Sequence, residues 1–334
     1  MESGFVDLRP WRRHCLPIPR LVNVNTHADT YNIFGHAAEQ LLSNGMSLGT
    51  LTHLVCNRLV NTSSCCTGIA GDIICNSVVE GGIRQFIAKL PVDASDAPRT
   101  LAPLHFVAMW TCECSKKRQE ELLALPSHMS PKHIFGDIRE FVPESMRQSV
   151  GLDGGVELPA RELKFALAYA TMRRRAWCVK HGRYCTIDVS DFHSSSPPCT
   201  DDSKSGLVQK EDGRQRKIFY IFVGMRRTLR EPFVRIENVV DFGTHEVEEL
   251  LGDLYIVIGV ITDAPDYGYC QNRRRLDIHL ILKVFGFAIL KDHHPEDVIS
   301  TQRVIDMYDA PATIRELFHR RCNFTWADLL HIGN

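Results

Sequence analysis

The sequence predicts an α/β protein built on one doubly wound, mostly parallel sheet. Two observations carry this expectation. Apolar strand-like runs alternate with segments of helical periodicity along the chain, and acidic or polar clusters recur where the strand-like runs end. The length agrees: 334 residues exceed an average domain but suit one large α/β domain. A hydrophobic fraction of 44% and a charged fraction of 24% are ordinary globular values and exclude a disordered or fibrous chain. The formal net charge of −1 supplies no global field for nucleic acid, so any such site must be a local patch. No apolar run reaches the roughly 18 residues of a membrane span. The 12 cysteines show no paired framework and no signal peptide opens the chain, so a reduced intracellular protein is expected.

Residues 1–20 form a basic, Pro-containing start, and Leu48, Leu51, Leu54, Val55 and Leu59 predict an amphipathic helix over 47–60. Residues 63–71 are a small-residue turn, followed by an apolar-periodic helix to about Leu90. Strand, glycine turn and helix make the opening of a cofactor-binding unit, because glycines admit a ligand to the backbone and a helix start offers free N–H groups. Residues 106–113 read as a strand ending at Glu113, 115–125 as a helix with a Ser cap, and 133–137 as a short strand ending at Asp137. Residues 140–160 are a Gly/Pro-interrupted connection. Residues 160–177 are predicted helical, turning basic at Arg173, Arg174 and Arg175 beside Trp177. Further on come a helix over 219–229, a strand over 232–239 ending at Glu237-Asn238-Val239, a short helix over 244–251, a buried strand from Tyr255, a basic turn over 267–275 and a strand over 276–283.

The segment from Asp191 to Gly206 organises the chemistry. An apolar run (Ile187, Val189, Phe192) enters a polar turn that presents Pro198-Cys199, then Ser203 and Gly206. A cysteine just past a strand end is placed as an α/β protein places a nucleophile. A structural cysteine in a Ser/Pro loop suits this stretch equally well. Cys178, His181 and Cys185 put three metal-ligand types close together. A structural zinc site needs four ligands, and Cys199 would serve as the fourth only by abandoning catalysis. The segment is therefore read as buried or loop thiols, and no metal is expected. His293-His294 reads as a solvated turn.

Taken in order, these clusters resemble the cytosine-C5 DNA methyltransferases. Pro198-Cys199…Ser203…Gly206 looks like the family's nucleophile loop, Glu237-Asn238-Val239 like its Glu-Asn-Val strand end, and Gln271-Asn-Arg273-Arg-Arg275 like its Gln-x-Arg-x-Arg element. Gly136-Asp137-Ile138 resembles the segment that faces the cofactor adenine, Gly68-Ile69-Ala70-Gly71 the Gly-rich cofactor turn, and Glu113 the ribose-binding acid. The resemblance covers about residues 63–283. It implies a Rossmann-like sheet of the S-adenosyl-L-methionine-dependent methyltransferase type, with a reduced or absent target-recognition domain, since only 59 residues follow Arg275.

What the resemblance implies chemically is self-consistent. Cytosine C5 is too electron-poor to accept a methyl group unaided, and addition of the Cys199 thiolate at C6 makes C5 nucleophilic. Glu237 would act at N3, Arg275 near O2, and Arg273 would brace the site. Ser203, Asn238 and Gln271 are the implied substrate-binding residues. Gly68, Ile69, Gly71, Glu113, Asp137, Ile138 and Pro198 are those for S-adenosyl-L-methionine. Three features depart from the pattern: Ser194, Ser195 and Ser196 ahead of Pro-Cys, Thr200-Asp201-Asp202 after it, and Ala70 in the glycine turn. Carboxylates beside a thiol raise its pKa. The implied partner is DNA, with tRNA as a second choice and a non-catalytic binding protein as a different class of answer. The expected organisation is an N-terminal extension over 1–60, a catalytic domain over 61–284 and a helix/loop tail over 285–334. A nuclear location follows from the substrate class alone, and the oligomeric state is left open.

Overall fold

The structure, a computed structural model, describes residues 59–66, 71–88, 104–154, 158–198, 216–242, 244–263 and 274–284. In chain order the elements are strand β1 (Leu59–Cys65), helix α1 (Gly71–Ala88), β2 (His105–Cys112), α2 (Lys116–Leu123), β3 (His133–Phe135), a 3₁₀ turn (Ile138–Phe141), α3 (Glu144–Ser149), α4 (Ala160–Ala168), β4 (Arg175–Cys178), β5 (Arg183–Thr186), β6 (Phe192–Ser195), α5 (Arg216–Leu229), β7 (Phe233–Asn238), a second 3₁₀ turn (Val240–Phe242), α6 (His245–Leu251), β8 (Tyr255–Asp263) and β9 (Arg274–Leu282).

The nine strands form one sheet in the order β5-β4-β3-β2-β1-β6-β7-β9-β8. Its centre is parallel: β2 with β3, β1 with β6, β6 with β7. Both margins turn antiparallel, through the β4–β5 hairpin on one side and β9 and β8 on the other. The chain runs from β1 outward to β3, then returns to β6 and runs the other way. The sheet is thus doubly wound, with its switch point between β1 and β6, and ligands bind outside the carboxyl ends of strands at such a point.

The chain divides into two compact units. In the smaller, which takes in Asp72–Val107, Glu80 of α1 accepts a hydrogen bond from the Phe106 N–H and sits 2.9 Å from His105 Nδ1. The larger holds the sheet's core. Trp110, Phe135 and Phe141 pack edge to face, and Trp110 donates its indole N–H to the Asp188 carbonyl at 2.8 Å. Helix α5 buries nearly its whole length. Gly224 is required there, because a Cβ would come within 2.5 Å of the Leu167 carbonyl oxygen of α4. A buried polar cluster joins α4, α5 and α6: Glu246 takes Arg216, the Tyr220 hydroxyl at 3.0 Å and Lys164 at 3.3 Å.

Several elements depart from the sequence reading. Leu59 and Val60 open β1 instead of ending a helix, and residues 47–58 lie outside the described ones. Ser63 and Ser64 belong to β1, where the Ser64 hydroxyl donates to Thr111; the turn begins at Cys66, whose φ is +57°. The connection over 140–160 contains α3. The helix expected over 160–177 stops at Ala168, because backbone groups beyond it find tertiary partners: Met172 N–H donates to Thr228 Oγ1 and Arg173 N–H to the Phe141 carbonyl. Arg175 and Trp177 consequently lie on strand β4, next to edge strand β5, with Trp177 edge-on to Tyr184 across the hairpin. The strand from Tyr255 is a half-buried edge strand, since β8 ends the sheet.

Buried histidines make the fold acid-sensitive. His279 of β9 is 7% exposed, and burial pushes its pKa from 6.5 down to about 4, against the pull of Asp277. His193 of β6 is driven down by burial and by nearby Arg226. A depressed histidine pKa means the unfolded chain binds the proton first. This part of the stability is therefore complete above pH 6.5 and lost as pH falls toward about 4, by about 3 kcal/mol for His279. His279→Gln should flatten the pH dependence of urea-unfolding midpoints over that window. An unchanged slope would exclude His279 as its source.

Candidate active site

Parallel register gathers the strand ends along one edge. Cys65 pairs with Ser195, Cys112 with Phe135, and Ser195 with Ile236, while the Cys66 N–H donates to the Cys112 carbonyl at 3.0 Å. Cys66, Glu113, Gly136-Asp137, Pro197-Pro198 and Glu237-Asn238 therefore all leave the sheet at its carboxyl edge.

Antiparallel β9 brings a further residue there. Glu237 faces Asp277 in register, two like charges opposed. Each carboxylate turns to a diagonal arginine. Arg275 Nε lies 2.8 Å from Glu237 Oε1, and Arg235 Nη2 lies 2.6 Å from Asp277 Oδ1. Opposite-charge diagonals are how a two-stranded face relieves such repulsion. Glu237 and Arg275 are 30% and 28% exposed, open enough to meet a ligand. Asn238, on the opposite face of β7, is buried. Its Nδ2 donates to the Pro197 carbonyl at 3.4 Å and its Oδ1 accepts the Val239 N–H at 2.8 Å. Asn238 thus ties the end of β7 to the segment that enters Cys199.

On the other side of the switch point, Glu113 is buried at the end of β2. Its Oε1 accepts the Ser115 N–H at 2.9 Å, and its carbonyl accepts Gln119 Nε2 at 2.6 Å. Asp137 caps the 3₁₀ turn that begins at Ile138, and accepts the Arg139 backbone N–H at 2.9 Å and side chain Nε at 2.8 Å. Burial works against its ionisation, but these bonds prevail and hold the carboxyl below its ordinary range. Near the two acids lies a group of thiols. Burial, then neighbouring Cys65 and Glu113, push Cys66 well up. A side-chain hydrogen bond with Cys65 and burial push Cys112 well up, and burial raises Cys114. Protonated at neutral pH, these thiols line the edge and are poor nucleophiles.

Of the residues singled out in sequence, the structure brings Glu237, Asn238, Arg275 and Pro198 to one stretch of this edge, and Glu113, Asp137 and Ile138 to another. Gly71 begins α1. Gly68, Ile69, Cys199, Ser203, Gln271 and Arg273 lie outside the described residues. The sequence reading missed the Arg235–Asp277 pair and the thiol group. Alternation of charge along β7 (Arg235, Glu237) and β9 (Arg275, Asp277) was the available signal for the first; nothing local signalled the second. Among the described residues no helix is long and apolar enough to cross a membrane.

Residues 179–325 match the C-5 cytosine-specific DNA methylase family model, a span that includes Cys199, Glu237 and Arg275. No curated protein matches the chain. Among solved structures the chain is similar to a prophage-encoded DNA modification methyltransferase of E. coli, at 14% identity over 68% of this chain and 48% of that one, TM-score 0.39. It is similar to the Dnmt2 methyltransferase of S. pombe at 12% identity over 67% of this chain and 49% of that one, TM-score 0.37. It is also similar to the methyltransferase EhMeth of Entamoeba histolytica at 12% identity over 68% of this chain and 54% of that one, TM-score 0.34. The chain thus spans about half the length of each of these structures.

Proposed function

Residues 179–325 of this chain resemble the C-5 cytosine-specific DNA methylases, and from that premise we propose that the protein transfers a methyl group from S-adenosyl-L-methionine to cytosine C5 in DNA. The observation that carries the reading is the Glu237–Arg275 pair at 2.8 Å, on the strand end that Asn238 ties to the approach to Cys199. Acid, cation and the Pro197-Pro198 segment that precedes Cys199 in sequence lie at one edge of the sheet, an arrangement that suits a reaction that places charge on a pyrimidine ring.

The residues on the far side of the switch point suit the cofactor. Glu113 is fixed by one backbone N–H and keeps acceptor capacity for ribose hydroxyls. Asp137 is more heavily engaged. Arg139 supplies three bonds to it, which leaves about one of a carboxylate's four acceptor positions for an adenine amino group. When bound, S-adenosyl-L-methionine supplies the electrophilic methyl group.

The chain's own residues do the rest. The Cys199 thiolate adds to C6 while Glu237 gives a proton to N3, and Arg275 orients Glu237 and offsets negative charge at O2. Once C5 carries the methyl group, loss of the C5 proton to water expels the thiolate and restores the C5–C6 double bond. Asn238 holds Pro197, two residues ahead of Cys199 in sequence. Asp201 and Asp202 follow Cys199 in sequence, and carboxylates near a thiol disfavour its thiolate, so transfer should strengthen toward alkaline pH. A DNA substrate would place the protein in the nucleus.

The test is transfer of labelled methyl to duplex DNA and to total tRNA. DNA alone is expected to take label, and Glu237→Gln to lower the rate by roughly 10²–10⁴-fold without loss of cofactor binding. Label in tRNA alone would replace the substrate; an unaffected Glu237→Gln protein would remove Glu237 from the chemistry.

A further inference from the structure

Cys178-Val-Lys-His181-Gly-Arg-Tyr-Cys185 offers three ligand types in sequence, one short of a structural zinc site. The sheet brings in a fourth. His133 opens β3, next to β4, and the ligand atoms of His133, Cys178, His181 and Cys185 all lie within 4.8 Å of one another. We infer that these four residues bind one zinc ion tetrahedrally and that the ion staples the β4–β5 hairpin to β3.

The three separations about His181 Nδ1 suit an ion. His133 Nδ1 and His181 Nδ1 are 3.2 Å apart, and His181 Nδ1 lies 3.4 Å from Cys178 Sγ and 3.5 Å from Cys185 Sγ. With Zn–S near 2.3 Å and Zn–N near 2.05 Å, a tetrahedron has an N···N edge of about 3.3 Å and an S···N edge of about 3.6 Å. Hydrogen bonding does not account for the same arrangement. His181 Nδ1 has either one lone pair or one N–H, yet three polar atoms converge on it. Four donors crowded around one point is the geometry of a shared cation. Charge agrees too, since two thiolates and two neutral imidazoles balance Zn²⁺ without help from an acid.

Local structure prepares the site. The Gly182 N–H donates to the Cys178 carbonyl at 2.9 Å, and Gly182 has φ +60°, so the chain doubles back and presents Cys178, His181 and Cys185 to one point. The Val179 N–H donates to the Ile134 carbonyl at 2.7 Å, which sets this turn against β3. Lys180, the nearest cation in the turn, is drawn away to Ser130 Oγ at 2.8 Å and the Pro131 carbonyl at 2.6 Å. Cys178 and Cys185 are buried, whereas His181 is exposed and gives the ion a route from solvent.

The site also fills a structural gap. The hairpin joins the rest of the sheet through a single ladder pair, Phe135 with Cys178. A metal with ligands on both sides of that junction supplies the missing ties. Because β3 leads directly into Gly136-Asp137, it would also fix that strand end.

The experiment uses the full-length protein, purified under reducing conditions without chelator. Elemental analysis should find one zinc per chain. Cobalt added after zinc removal should give the visible d–d bands of a tetrahedral ion and a thiolate-to-cobalt charge-transfer band. His181→Asn, a change at an exposed position, should lose stoichiometric zinc while keeping its circular dichroism, and Cys185→Ser should lose the charge-transfer intensity. Wild type without zinc and without a cobalt spectrum would overturn the inference. So would zinc content unchanged by His181→Asn, or a Cys178–Cys185 disulfide in the freshly isolated protein. None of these readouts depends on methyl transfer.

Discussion

Cys199→Ala is expected to abolish methyl transfer, by on the order of 10⁴-fold or more, the scale of nucleophile deletions in enzymes that react covalently. The physical reason lies in the substrate: C5 of cytosine becomes nucleophilic only when a thiolate has added at C6, so no weaker group substitutes in part. The described thiols at this edge offer no replacement. Burial keeps Cys66 and Cys114 protonated, and Cys112, hydrogen-bonded and buried, likewise. Cofactor binding should survive, since Glu113 and Asp137 lie across the switch point from the Pro197-Pro198 segment. Labelled-methyl transfer together with calorimetric titration of S-adenosyl-L-methionine separates the two. Retained transfer in Cys199→Ala would end the covalent mechanism, and loss of cofactor binding would show that the change acted on the fold.

The largest expected effect on stability is at Arg226 and Glu231. Both side chains are fully buried, with Arg226 Nη1 2.8 Å from Glu231 Oε1 in an ion pair that lacks aligned hydrogen bonds. The guanidinium also rests against the rings of Phe222, at 5.0 Å, and Trp110, at 6.0 Å. Glu231→Gln removes the only anion this cation touches among the described residues. Arginine cannot shed its charge, so the loss should be about 3–5 kcal/mol.

Arg226→Met should cost less, because the abandoned carboxyl can take up a proton. Burial already raises the Glu231 pKa above its usual 4.5, more than Arg226 draws it down. A raised carboxyl contributes stability that is complete below the unfolded value and lost as pH climbs through the folded one. Without Arg226 the folded value climbs further, so Arg226→Met should be weaker at about pH 8 than at about pH 5. Arg226→Met with Glu231→Leu should recover most of the loss, as apolar replacement of a whole buried pair does. Denaturant midpoints of the three variants at both pH values decide it; equal losses for the two single changes would refute the asymmetry.

The candidate strand ends were legible because a strand that leaves a buried sheet must change composition where it meets solvent. Glu113, Asp137 and Glu237 each follow an apolar run, and the structure puts each at the end of a parallel strand. The same rule failed where tertiary partners compete with local propensity. Residues 169–177 continue a helical pattern, but Thr228 and Phe141 claim their backbone groups and Tyr184 receives Trp177.

The amino-acid sequence by itself determined which residue types stand at the strand ends, since that follows from local patterning. It also determined the doubly wound character of the sheet, from the alternation of strand and helix. Only the tertiary structure decided which of those residues meet. Arg275 reaches Glu237 because β9 runs antiparallel to β7, and His133 joins Cys178, His181 and Cys185 because β3 lies beside β4. Strand neighbours are chosen by long-range pairing, and no spacing along the chain records that choice.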